Sequence, residues 1–449
     1  GGAVGALGTD LSCLNNNPAG IGIYKKSDVT FTAGMQLAKV KSVYNDSLVN
    51  DYKNNFVLPN LGIAGAGVNR EIDKKNFTRA NFAISLNRSV NFKNNISIAG
   101  HSKGSSMGLA FSATAQGKNP SQLDQFYELY PYIYDLIDTV NGDPTLYTST
   151  IPEGANMRQE YNAVESGGIS DLSIGGGYSY SDKFYGGWAI DVPFINFTRS
   201  SAFKESADAI LYQCPNLPYK ISSFTYNEEL NTTGKGINVK FGAIYRFSQY
   251  IRAGLAYHSP TAILLKDTYK STFGITFDSP GGQGGTYTDT SQTAIFRYSL
   301  FTPSKVQGSI SFLLQKAGSV NIEVESMNYG NMRLKSNPMY FAAIDKFMRQ
   351  NYKRAFNIKI GVERNIKPVI IRLGYAMFGS PTGNVFAGAG VRHSFAGGAG
   401  IRWNNHFIDV SYSLSLRSEN FYLYNPLYVN ASKMNYSQSF FLVTLGSKI

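Results

Sequence analysis

Asp409-Val410-Ser411-Tyr412-Ser413-Leu414-Ser415-Leu416-Arg417 decides the reading of this chain. Side chains alternate faces along a strand, so Asp409, Ser411, Ser413, Ser415 and Arg417 share one side, and Val410, Tyr412, Leu414 and Leu416 the other. The neighbours repeat this pattern in pairs, each closed by a short turn. Strands 391–403 and 406–417 meet at Asn404-Asn405, 354–364 and 368–379 at Asn365-Ile366-Lys367, and 294–314 and 318–329 at Gln315-Lys316-Ala317. Strands 234–247 and 250–266 meet at Ser248-Gln249, and 169–181 and 184–199 at Ser181-Asp182-Lys183. Long polar loops join successive pairs. Upstream, 28–43 and 57–70 flank a loop, the turn Glu71-Ile72-Asp73-Lys74-Lys75 leads to 77–88, and 435–449 closes the series. Short turns at one end and long loops at the other mark a membrane barrel, with lipid outside and water or a plug inside.

The expected fold is therefore all-β: a 14-stranded antiparallel transmembrane β-barrel with an N-terminal plug (hatch) and long extracellular loops. Residues 1–27 form the hatch, 28–449 the barrel, and 89–168 a long, partly helical extracellular loop. Asn95 to Ala99 reads as part of that loop, because a fifteenth strand would reverse 169–181. An even strand count puts both termini on one side, and short turns put that side in the periplasm of a bacterial outer membrane. The alternative architecture for alternating, Gly-rich strands is a soluble sandwich or propeller, against which the recurrent turn-strand-loop order argues.

Composition agrees. No stretch reaches 18 apolar residues, while 30 Tyr and 29 Phe supply rings for two interface girdles. The net charge of +12 suits contact with the anionic phosphates of membrane lipid and lipopolysaccharide. No basic helix or Lys/Arg stripe points to nucleic acid. Glu323, Glu325, Lys240, Arg246, Lys359 and Glu363 take inward positions, alternating with Val320, Ile322, Val324, Val239, Phe241, Ile358 and Ile360. Inside a wet lumen such charges pair across strands or grip a plug; facing lipid each costs about 2–4 kcal/mol. Cys13 and Cys214 read as unpaired residues of the plug and an outer loop. An exported barrel needs a signal peptide and none is visible, so the chain is expected to start after cleavage.

Candidate sites come from three places. Leu123, Phe126, Tyr130, Ile133 and Ile137 recur at helical spacing within Ser121–Val140, which predicts a helix offering one wall of a hydrophobic capture groove, a simple lid, or a docking face. Asn17-Pro18-Ala19-Gly20 reads as a turn that positions the plug. Pro193, Pro260 and Pro381 lie near the loop ends of strands, where proline interrupts the ladder; Pro193 and Pro260 are the candidates for a lateral opening in the wall. Gly100-His101-Ser102-Lys103-Gly104 matches the pattern of a hydrolase elbow, but that chemistry needs a strand-turn-helix in an α/β sheet, so no catalytic residue is assigned. Four His and two Cys offer no metal spacing, and Gly281-Gly282-Gln283-Gly284-Gly285 lacks the Lys-Ser/Thr of a phosphate loop; no metal or cofactor is expected.

Gly1 to Asp10 together with Asn17-Pro18-Ala19-Gly20-Ile21-Gly22 resembles the plug segment of the FadL/TodX/OmpP1 family of outer-membrane transport proteins. Gly234 to Arg246, Gly254-Leu255-Ala256-Tyr257-His258-Ser259-Pro260-Thr261, Phe301-Thr302-Pro303, Gly374 to Pro381 and Thr444-Leu445-Gly446 extend the likeness along most of the chain, closest to Bacteroidota-type members. The resemblance implies uptake of small hydrophobic molecules, long-chain fatty acids or aromatic hydrocarbons, by plug-gated lateral diffusion and without an enzymatic step. The alternative it leaves open, after a minority of relatives, is a non-transporting barrel that serves as a subunit of an outer-membrane secretion or assembly complex.

Overall fold

The computed structural model describes the chain except residues 1, 2, 9, 68–76, 141, 208–211, 215–218, 279–283, 316, 337 and 383–389. Fourteen antiparallel strands close into one barrel. They are β1 (Asp28–Tyr44), β2 (Ser47–Gly67), β3 (Phe77–Asn91, continued by Asn94–His101), β4 (Met157–Tyr180), β5 (Phe184–Ala207), β6 (Lys220–Arg246) and β7 (Ile251–His258, continued by Ala262–Asp278). The circuit goes on through β8 (Ala294–Phe301, continued by Lys305–Leu313), β9 (Gly318–Asn328), β10 (Arg354–Ile366), β11 (Val369–Phe378), β12 (Arg392–Trp403), β13 (His406–Phe421) and β14 (Ser432–Lys448). The last strand closes on the first in continuous register from Asp28↔Lys448 to Val43↔Lys433. Closure leaves the barrel sheet without a free edge at this seam, as a hydrocarbon setting requires.

The alternation in 409–417 does what the pattern demands. Val410 and Tyr412 are exposed on the outer wall, and Leu414 is half-exposed. Phe241, Leu255, Leu264, Phe82 and Leu373 belong to the same exposed apolar band, with Leu373 at 64%. So large an uncovered apolar surface is stable only against lipid. The opposite face holds the charges: Glu323, Glu325 and Lys240 are buried.

Several expectations change in detail. The loop between the first two strands shrinks to the turn Asn45-Asp46, both with left-handed backbone, because 47–56 is paired residue by residue with β1. Asn94–His101 is strand, yet it adds no fifteenth stave: it continues β3 in the same direction along β4. The excursion accordingly narrows from 89–168 to 102–156. The turn at 71–75 and most of the Gly281–Gly285 loop lie outside the described residues. No helix among the described residues is long and apolar enough to cross a membrane.

The helix expected over Ser121–Val140 is not there. Within it only α3 (Leu129–Ile133) is α-helical, preceded by a 3-10 turn at Pro120–Gln122; α1 (Cys13–Asn16), α2 (Met107–Ala115) and α4 (Pro338–Asn351) lie elsewhere. The Asp124 carbonyl accepts from the amides of Tyr127, Glu128 and Leu129, folding a tight turn, and Pro131 offers no amide to continue a helix. Asp135 then adopts φ 54°, and Ile137–Val140 enters a two-stranded hairpin with Asp143–Ser149. Excursion residues still converge on an apolar mass within the outer barrel. Phe111 of α2 meets Tyr127, Tyr226 and Phe273 edge-on, and Leu136, Ile137 and Met157 are fully buried around it. Buried Glu205 receives the Met107 amide and Gln159 Nε2, tying the first turn of α2 to β4 and β5.

Candidate functional site: a lumen cavity between two stoppers

The N-terminal segment crosses the lumen and is fastened on several sides. Asn17 caps the 3-10 turn Pro18–Ile23: its Oδ1 accepts from the Ala19 amide at 3.2 Å, and its Nδ2 donates to the Gly5 carbonyl at 2.8 Å. Pro18, Ala19 and Gly20 are buried beside it. The turn presses against glycines of the wall. A Cβ at Gly187 would fall 2.3 Å from the Pro18 carbonyl carbon, and one at Gly242 3.0 Å from the Ala19 amide, so both strands need glycine for this approach. Asn81 Nδ2 donates to the Ile21 and Tyr24 carbonyls, and Arg252 donates to that of Leu7.

Across the lumen, the buried Glu323 holds the segment from β9. Its Oε2 accepts from the Gly5 amide at 3.0 Å and Asn16 Nδ2 at 2.9 Å, while its Oε1 pairs with Lys359 Nζ at 2.8 Å. Lys359 also pairs with Glu325 at 2.7 Å, and Glu325 with Lys305 at 3.2 Å and Asn357 Nδ2 at 3.0 Å. Lys240 pairs with Asp191. His258 Nε2 lies 2.8 Å from the Asn16 carbonyl. These ions are hidden but matched: each carboxylate meets cations or amide donors, the condition under which buried charge is tolerable. The inward charges were legible from alternation. Asn15, Asn16 and His258 were not, because their contacts depend on which distant strands face the segment.

Over this floor lies a cavity of about 790 Å³. Asn15, Lys240 and His258 line its floor side; Ile195, Ile263, Met327 and Phe378 contribute apolar walls. Farther along the same strands the aromatic mass around Phe111 fills the barrel, so the cavity sits between two stoppers. It also meets the wall where the ladders fail. The β5–β6 register omits Val192-Pro193 opposite Gly236-Ile237. Strand β7 is interrupted at 259–261 and β8 at 302–304. Pro193 and Pro303 line the cavity, and Pro260 lies inside the β7 interruption. Polar bridges span these breaks: Ser259 donates to the Val239 carbonyl at 2.9 Å, and the Thr261 amide to Thr302 Oγ1 at 2.9 Å.

The expected capture residues divide. Leu123 and Ile137 are buried in the outer mass, Phe126 packs on Tyr269 with centroids 5.6 Å apart, and the Tyr130 hydroxyl donates to the Thr290 carbonyl. Ile133 is exposed. They share no single face. Ser102 of the elbow-like pentapeptide donates to the Ala155 carbonyl and accepts from the Met157 amide, closing the base of the excursion.

Neither a family model nor a curated protein matches this sequence. Solved structures do. A FadL homologue from Pseudomonas aeruginosa aligns over 99% of this chain and 96% of its own, at 12% identity and a TM-score of 0.55. The toluene transporter TodX of P. putida aligns over 98% and 94%, at 11% identity and 0.54, and the monoaromatic hydrocarbon channel CymD over 100% and 98%, at 10% and 0.51. From first strand to last, the chain has the fold of the FadL-type channels.

Proposed function

We propose that this chain is an outer-membrane channel of the FadL family that admits small hydrophobic molecules, with the N-terminal segment as its plug and both termini periplasmic. A solute partitions onto the outer mouth, where Ile133 is exposed and Phe126 and Tyr130 are half-buried. It passes to the cavity above Asn15 and leaves sideways where Pro193 and Pro260 interrupt the wall. Fatty-acid-like and monoaromatic compounds are the candidate cargo, the latter in line with what the names of TodX and CymD say of those proteins. The observation that carries the reading is the position of the cavity, bounded by the fastened segment on one side and by the ladder breaks on the other. The driving force at each station is apolar burial, about 25 cal/mol per Å². Several shallow stations therefore move a greasy solute without coupling to another energy source.

Binding tests this directly. Purified barrel is expected to take up a fluorescent fatty-acid analogue or toluene in a saturable manner. The Ile195→Trp/Met327→Trp variant, which fills the cavity, is expected to lose that binding while keeping its heat-resistant barrel mobility in gels. Unchanged binding in a folded double variant would remove the cavity from the account.

A further inference from the structure

On the outer wall, four cations stand together just above the apolar band. Register places them side by side: Lys235 of β6 opposite Leu264 of β7, Lys266 of β7 opposite Arg297 of β8, and Lys335 opposite Ser299 of β8 through the short strand Arg333–Lys335. All four side chains are exposed, and among the described residues none is in an ion pair. They line one open cleft of about 610 Å³, with Phe194 and Leu264 at its apolar side. Lys335 lies over the Phe301 ring at 4.8 Å, and Ser336 Oγ donates to the Arg297 carbonyl, which holds the two segments together. Asp345 of α4, in the adjoining groove, is occupied by the Leu334 amide.

Height singles this cleft out. On β6 the outward residues Tyr245, Phe241 and Ile237 climb from the short-turn end, and Lys235 comes next. Tyr245 to Ile237 covers about 26 Å of strand, or about 20 Å of depth at the usual tilt, close to the full apolar band of such barrels. On β7 the order is Leu255, Tyr257, Leu264 and then Lys266. The cations thus begin where hydrocarbon ends, on the long-loop side. Unpaired cations directly above an exposed apolar surface match a ligand that carries phosphate over acyl chains.

We propose that this cleft binds the phosphorylated glycolipid of the outer leaflet, with Lys266 and Arg297 on the phosphate and Phe194 and Leu264 against the acyl chains. The proposal rests on the outer-membrane reading above. Native mass spectrometry of detergent-solubilised protein with added bisphosphoryl lipid A tests it. Each surface cation typically contributes enough attraction that Lys266→Gln/Arg297→Gln is expected to weaken retention of the lipid by about tenfold or more. Dephosphorylated lipid A should bind wild type no better than the variant. Equal retention of the two lipids, undiminished retention by the folded variant, or saturation of the site by millimolar inorganic phosphate would each overturn the assignment. Hydrophobic uptake by the same variant should stay at the wild-type level. Loss of uptake in wild type with lipid retention intact would fault the channel reading alone.

Discussion

Glu323 is where sequence pattern, folding energy and the fastening of the N-terminal segment meet. It occupies an inward position of β9, is fully buried, and spends one oxygen on Lys359 and the other on Gly5 and Asn16. Removing one partner of a buried pair costs about 3–5 kcal/mol, because the other charge is stranded. Glu323→Ala should therefore loosen the N-terminal segment more than the wall: amide exchange in residues 4–8 and 10–17 is expected to accelerate well beyond that of β9 and β10. Uniform acceleration of all three would place the loss in the barrel instead. The two thiols make a second residue-scale prediction. Cys13 and Cys214 are buried, and burial, reinforced by the nearby Asp135 carboxylate, pushes the Cys214 thiol up to about 12. Thiolate is the reactive form, so a thiol raised this far stays protonated and inert below that pH. Neither cysteine should react with maleimide at pH 8 until the chain is denatured; fast labelling of the native protein would contradict the packing described. The pairing of charges between neighbouring strands was readable from residues 320–325 and 358–363. Their grip on Gly5 and Asn16 was not, since 318 positions separate Gly5 from Glu323.

At the scale of elements, the lower strands were legible and the upper ones were not, for a single reason. Where one face meets lipid and the other water, apolar and polar residues alternate, as in 409–417. Above the band both faces are wet or packed on the excursion, and the period disappears. Asn50 to Asn55, Asn91 to Asn95 and Glu228 to Thr233 carry polar side chains on both sides, and they read as loop. The structure makes them strand apart from a break at Phe92-Lys93, with β6 reaching 27 residues where about 10 cross a membrane. The false helix at 121–140 is the converse error: apolar residues of an irregular chain that go to different neighbours, Phe126 to Tyr269 and Leu123 to the outer mass, fell at helical intervals by coincidence. The real helix, α2, has apolar residues all round because it is enclosed, so it showed no amphipathic signal. Its N-cap, Ser106, accepts from the Gly108 amide at 3.1 Å. Ser106→Ala should destabilise the excursion by about 1 kcal/mol, visible as faster exchange in 107–115 with the barrel strands unaffected. An equal change throughout the barrel would show that the excursion does not open on its own.

For the whole molecule, the decisive property is that both stoppers and the cavity between them lie inside a cylinder whose outside is lipid. Its two tryptophans report on the exterior: Trp188 and Trp403 are both exposed on the outer wall near short turns, the level of an interface girdle. Reconstituted protein should show strong quenching by lipids brominated near the headgroup and weak quenching by aqueous iodide; the opposite order would mean that the band is covered by protein or water. The functional claim goes further, and uptake tests it most directly. Cells expressing the chain, compared with cells carrying an empty vector, should accumulate labelled toluene or long-chain fatty acid faster. Ile195→Trp/Met327→Trp should return the rate to the vector's level while the folded barrel remains in the membrane. Uptake by the filled variant at the wild-type rate, or no uptake by wild type above the vector, would contradict passage through the cavity.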